Sequence, residues 1–133
     1  MKDGTIDALC SDHAPVDEDS KLLPFGESEA GATGLELLLP LTLKWAIEMK
    51  VPLAQALARI TQQPARILRL DSGNLSEGRA ADVCIFDAEH CGKVSAATLK
   101  SQGKNTPFLG IELPGKVRYT LVQGQIAYDA GTG

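Results

Sequence analysis

The run Cys10-Ser11-Asp12-His13-Ala14-Pro15 sets a carboxylate beside an imidazole, directly after the short apolar stretch Thr5-Ile6-Asp7-Ala8-Leu9. Such a pair at the exit of a strand can hold a metal, relay a proton, or do both. In a parallel α/β barrel, an Asp at the C-terminal end of a strand faces the catalytic mouth. The same Asp is equally well placed as a turn former or a helix N-cap. Adjacent side chains at a strand end diverge, so His13 is expected to make a structural hydrogen bond rather than share a metal with Asp12.

No other cluster offers comparable chemistry. Asp17-Glu18-Asp19 lacks the alternating ligands and distal Glu of a calcium loop and reads as solvated. His90 and Cys91 follow a strand in a polar stretch and read as surface residues. The chain has no H-x-H, H-E-x-x-H, G-x-S-x-G or phosphate loop. A catalytic zinc site needs about three protein ligands and an open position. With 2 histidines in all, this sequence does not complete one by itself.

The elements that must position Asp12 follow from the pattern of apolar residues. Residues 5–10 predict a short buried strand. Residues 11–33 are rich in Asp, Glu, Ser, Gly and Pro, with little periodicity. A loop of that length within a compact domain is usually functional. Gly31 and Gly34 at its end permit close backbone approach to a ligand. Residues 35–49 are apolar nearly all round, which predicts a buried helix, kinked at Pro40 or starting there. A second helix is expected over Leu53–Thr61, and a third from Pro64 through Leu70.

The texture changes at Asp71-Ser72-Gly73, where a boundary is placed. Residues 82–87 predict a strand, and Val94–Lys100 could hold one helical turn. Val117–Val122 and Gln125–Tyr128 predict two strands joined by a two-residue turn at Gln123-Gly124.

Composition narrows the class. The 133 residues are 44% hydrophobic and 23% charged, as in soluble globular chains. A net charge of −4 and only 5% aromatic residues argue against a nucleic-acid or anionic-membrane surface. Three scattered cysteines, Cys10, Cys84 and Cys91, suggest neither a disulfide framework nor a thiolate zinc site, and favour a reducing compartment. The apolar run Leu35–Leu43 is too short to span a bilayer. Residues 1–20, with Asp3 and Asp7, carry no signal-peptide pattern, so a cytoplasmic location is expected.

Taken together, several stretches resemble dihydroorotases of the amidohydrolase superfamily. Ile6 to Pro15, Leu23-Pro24-Phe25 and Gly31-Ala32-Thr33-Gly34-Leu35-Glu36-Leu37 resemble their last barrel strand and substrate loop. The likeness continues through Gln63-Pro64-Ala65-Arg66-Ile67-Leu68 and Gly73-x-Leu75-x-x-Gly78-x-x-Ala81-Asp82-x-x-x-Phe86-Asp87. It closes with Asn105-Thr106-Pro107-Phe108, Gly115-Lys116-Val117 and Val122-x-Gly124-x-Ile126-x-Tyr128.

The resemblance implies an α/β fold: the end of a (β/α)8 barrel over residues 1–70, then part of a small β-sandwich over 71–133. It implies zinc-dependent interconversion of N-carbamoyl-L-aspartate and dihydroorotate in pyrimidine synthesis. Asp12 would bind the metal and move the proton between water and ring nitrogen. Ala30, Gly31 and Gly34 would offer backbone groups to the small-molecule substrate. Hydantoinase- and allantoinase-like activities are the neighbouring alternatives.

Two departures qualify the resemblance. The family's H-x-H, carboxylated Lys and later His ligands lie upstream of the matched stretches, so the 133-residue chain alone is expected to be inactive and to hold no tight zinc. Many active members also read Asp-His-Ala-Pro-His, whereas this chain has Val16 at the second His. Val16 suggests the alternative of a non-catalytic dihydroorotase-like subunit that supports aspartate transcarbamoylase assembly. An exposed apolar flank, and with it a homo-oligomer, is also expected.

Overall fold

The computed structural model describes residues 4–131; Asp3, used above in reading the N-terminus, lies outside them. The fold is α/β. Helix α1 covers Glu18–Leu22, a 3-10 turn Leu35–Leu37 leads into α2 at Leu38–Met49, and α3 and α4 cover Leu53–Ala58 and Gln62–Ile67. The strands are β1 (Val83–Lys93), β2 (Glu112–Val122) and β3 (Gln125–Asp129). They form one antiparallel sheet in the order β1-β2-β3.

Pro40 lies in the first turn of α2, where a missing amide costs no intrahelical hydrogen bond. The helix stops at Lys50, whose left-handed φ of 54° turns the chain and whose N–H caps the carbonyls of Ala46 and Ile47. Thr42, Leu43 and Ala46 are buried, but Ile47 is 67% exposed, so α2 is buried on one face only. The all-round apolar pattern therefore overstated its burial. Together with Ile67, Leu68 and Leu70, Ile47 makes up the expected apolar exposure on the helical side.

The core joins the start of the helical region to the segment between β1 and β2. Leu37, just before α2, packs with Val94, Leu99 and Leu113, and Leu41 and Phe108 lean against them. Helix α2 lies on β2, where Gly115 adopts a left-handed φ of 95° and a Cβ would strike Leu43.

The β2–β3 turn falls at Gln123-Gly124, as expected. Both residues have positive φ, 51° and 80°, the signature of a type I′ hairpin whose twist suits the flanking strands. Gln123 N–H is held by the Asp82 carboxylate at 2.7 Å.

Two expectations are corrected. Residues 5–10 are not a strand of any sheet: residues 4–7 and Cys10 are exposed and only Ala8 and Leu9 are partly covered. A strand needs a ladder partner. Here the segment is held instead by α3: Leu9 N–H donates to the Arg59 carbonyl, and the Arg59 guanidinium reaches the Asp7 carbonyl and carboxylate. Next, β1 runs on to Lys93, because its far end pairs with Glu112–Pro114 across a register shift between Asp87 and Cys91. His90 and Cys91 are exposed on it. Residues 94–100 hold the single turn expected of them: Leu99 N–H donates to the Ser95 carbonyl at 3.2 Å, and Ser95 and Thr98 tie the turn together through their hydroxyls and amides. Among the described residues, no helix is long and apolar enough to cross a membrane.

Candidate functional site

Asp12 lies in the irregular stretch 11–16, where its left-handed backbone redirects the chain. Its φ of 45° is left-handed, a conformation that Asp tolerates better than most residues. The side chain is exposed, which leaves the carboxylate accessible.

His13 points the other way and binds protein. Its Nδ1 accepts the backbone N–H groups of Gly34 and Leu35, each at 3.1 Å. With Nδ1 accepting, the neutral ring carries its proton on Nε2, so neither nitrogen presents a lone pair to a metal. The structural hydrogen bond expected of His13 is what the geometry provides.

The Gly31–Gly34 loop is pressed against this turn. Ala14 N–H donates to the Ala32 carbonyl at 3.0 Å. A Cβ on Gly34 would collide with the Ser11 carbonyl, and one on Gly31 with the Ala14 carbonyl. Gly31 also has a φ of 138°, a region L-residues rarely enter. The closeness inferred from these glycines is therefore backbone-to-backbone contact with the Asp12 turn. Ala30 is exposed at the loop's start.

Val16 contributes only packing. Its Cγ1 lies 3.2 Å from where a Gly31 Cβ would be, and its backbone backs onto Gly103. It offers no hydrogen bond from its side chain.

Behind the loop lies a second layer that the sequence reading did not find. Thr33 is fully buried; its N–H donates to the Asn105 carbonyl at 2.7 Å and its hydroxyl to the Gly103 carbonyl. The Asn105 amide nitrogen donates to the Gly31 carbonyl at 3.0 Å. One turn further on, the Glu36 carboxylate accepts Lys100 N–H and Ser101 N–H, both at 2.7 Å, and the Ser101 hydroxyl at 2.8 Å. Burial pushes the Glu36 carboxyl upward, but the two backbone amides, the Ser101 hydroxyl and the nearby Lys104 charge outweigh it, so it lies below the usual carboxylate range. The signal available in advance was the Gly31–Glu36 stretch beside the polar Ser101–Thr106 segment, but nothing local paired them.

A zinc ion does not fit the described residues alone. No group of three or more His, Cys, Asp or Glu converges among them, and the imidazole nearest Asp12 is already engaged. Any zinc centre that included Asp12 would draw its other ligands from outside these residues.

The arrangement presents an exposed carboxylate at Asp12 with the 31–34 loop packed against residues 11–14 behind it. The profile of the amidohydrolase family matches residues 1–128, and the chain belongs to that family. It is 44% identical to the dihydroorotase of Geobacter sp. strain M21 over 131 residues, 98% of this chain and 31% of the relative. It is 40% identical to a dihydroorotase-like protein of Pseudomonas aeruginosa, over 97% of this chain and 30% of that one. In fold it is similar to the dihydropyrimidinase of Brevibacillus agri, with a TM-score of 0.89 at 22% identity, over 96% of this chain and 29% of that structure. The chain thus spans about a third of the length of the relatives it matches.

Proposed function

We propose that this chain carries the Asp12 turn and substrate loop of a dihydroorotase-type cyclic amidohydrolase, interconverting N-carbamoyl-L-aspartate and dihydroorotate. In this reading residues 1–70 are the closing part of a (β/α)8 barrel and residues 71–133 part of a small β-sandwich. One observation supports it above others: the 44% identity to the Geobacter dihydroorotase extends over 131 of the 133 residues, a span that includes Asp12 and Ala30–Gly34.

Asp12 takes the proton of the attacking water and passes it to the ring nitrogen as the amide opens; cyclisation runs the same transfer in reverse. Of the loop expected to hold the ring, Ala30 and the Gly31 N–H are the backbone groups left to do so, since the Gly31 carbonyl is bound by Asn105 and Gly34 is bound by His13 and Leu37. Of the zinc ligands implied by the family, Asp12 is the one this chain would contribute.

The second reading, a non-catalytic subunit that supports aspartate transcarbamoylase assembly, draws on Val16, whose apolar side chain stands where a hydrogen-bonding His is common in the resemblance.

Mixing the purified chain with the remainder of the Geobacter dihydroorotase, with zinc, tests both. The enzyme reading expects dihydroorotate turnover that falls about 10²–10⁴-fold with Asp12→Asn, the usual contribution of a positioned acid–base group. Asn is chosen because it accepts the left-handed turn. Turnover unaffected by Asp12→Asn, or confined to hydantoin or allantoin, would overturn the dihydroorotase assignment. Assembly without turnover favours the subunit.

A further inference from the structure

The Asp12 turn contains little that fixes its own position. It touches the rest of the molecule chiefly through the 31–35 loop: Ala14 N–H on the Ala32 carbonyl, and His13 Nδ1 on two loop amides. That loop is in turn held from the opposite side by residues 99–106. The Asn105 side chain fixes the Gly31 carbonyl, the Asn105 carbonyl fixes Thr33 N–H, and Gly103 takes the buried Thr33 hydroxyl. The Glu36 carboxylate then fastens the end of the loop to Lys100 and Ser101. The strap itself is anchored by Leu99, which is buried in the core, and by Lys104 Nζ on the Leu99 carbonyl at 2.8 Å.

We infer that Glu36 and Asn105 are positioning residues for Asp12: the 99–106 strap sets the loop, and the loop sets the Asp12 turn through His13. The catalytic meaning of that position rests on the proposed reading of Asp12. The mechanical coupling does not. Neither residue reaches Asp12 itself. Each fixes the loop or the strap, so its removal acts on Asp12 through the contacts that residues 31–35 make with Ser11, His13 and Ala14 and that Gly103 makes with Pro15 and Val16.

The test reads that relay without requiring turnover. In mildly alkaline buffer, the 15N shifts of the His13 ring report which nitrogen accepts, and amide exchange reports Gly34 and Leu35. The unaltered chain is expected to show Nδ1 as acceptor with both amides protected. Glu36→Ala and Asn105→Ala are both expected to mix the two tautomers and speed exchange of the two amides, Asn105→Ala by about tenfold for the one hydrogen bond it loses and Glu36→Ala by at least as much for its three. Glu36→Gln keeps one acceptor oxygen for Ser101 N–H and is expected to restore part of the protection. If Glu36→Ala does not fold, Asn105→Ala and Glu36→Gln decide the matter.

Leu121→Ala, in β2 and away from the strap, separates coupling from general loosening. Folded variants in which His13 Nδ1 and the two amides stay as in the unaltered chain would overturn the inference. So would Leu121→Ala producing the same change. Because no substrate is involved, failure of the dihydroorotase reading leaves this result standing, and the converse holds.

Discussion

Gly34→Ala measures how tightly the loop and the Asp12 turn are pressed together. Gly34 has an ordinary φ of −138°, so alanine brings no left-handed strain there. What it brings is a methyl group aimed at the Ser11 carbonyl, a backbone atom that no rotamer change can move aside. The turn must back away, and His13 Nδ1 then loses its approach to Gly34 N–H and Leu35 N–H. Overpacking costs about 1–3 kcal/mol, and two hydrogen bonds about 0.5–1.5 kcal/mol each, giving a destabilisation of about 2–6 kcal/mol. Urea unfolding followed by far-UV circular dichroism reads this directly.

Two further glycines calibrate the measurement. Gly26 has no atom within 4 Å of an added Cβ, so Gly26→Ala should change stability by less than about 1 kcal/mol, in either direction. Gly31→Ala adds about 1–3 kcal/mol of backbone strain, from its φ of 138°, to its collision with Ala14, and should be the worst of the three. The reasoning fails if Gly34→Ala unfolds within about 0.5 kcal/mol of Gly26→Ala.

Other outcomes follow from the same structure. Glu36 has a lowered carboxyl pKa, so its contribution to stability is complete above the ordinary carboxylate value and is lost as pH falls through the lowered folded value. Stability of the unaltered chain should therefore drop more steeply on acidification than that of Glu36→Gln, as thermal melts across the acid range will show; equal slopes would contradict this. Gln123→Asn places the residue best suited to a left-handed first turn position beside Gly124 and should stabilise the chain by about 0.5–1 kcal/mol in the same unfolding assay. Gly115→Ala should cost about 2–4 kcal/mol, combining strain at φ 95° with a methyl driven into Leu43, and calorimetry should show a lowered melting temperature.

Features set by neighbours along the chain were legible in the sequence. The Gln123-Gly124 turn needs only two residues willing to take positive φ, and it stands where expected. The His13 hydrogen bond followed from the divergence of adjacent side chains, whereas the glycines at 31 and 34, read as room for a ligand, make room for the carbonyls of Ala14 and Ser11. Features set by distant partners were not legible. Residues 5–10 have strand composition, but pairing decides strand formation, and α3 holds them instead. The polar stretch Glu89-His90 looks like the end of a strand, yet β1 continues because Glu112–Pro114 lie opposite its far end. The 99–106 strap was missed for the same reason. Asn105 and Glu36 are polar residues whose importance depends on partners that no local periodicity reveals.

Those partners are far apart in the chain. Gly31 meets Asn105 across 74 positions, Thr33 meets Gly103 across 70, and Glu36 meets Ser101 across 65. At cellular synthesis rates of about 5–20 residues per second, the ribosome delivers Asn105 on the order of 4–15 s after Gly31. Through that interval the glycine loop and the Asp12 segment have each other to hold but not the strap that fixes the loop. The region read as the chemical end of this chain is thus among the last parts able to take shape during its synthesis, and loss of the final thirty or so residues would leave Asp12 present but unplaced.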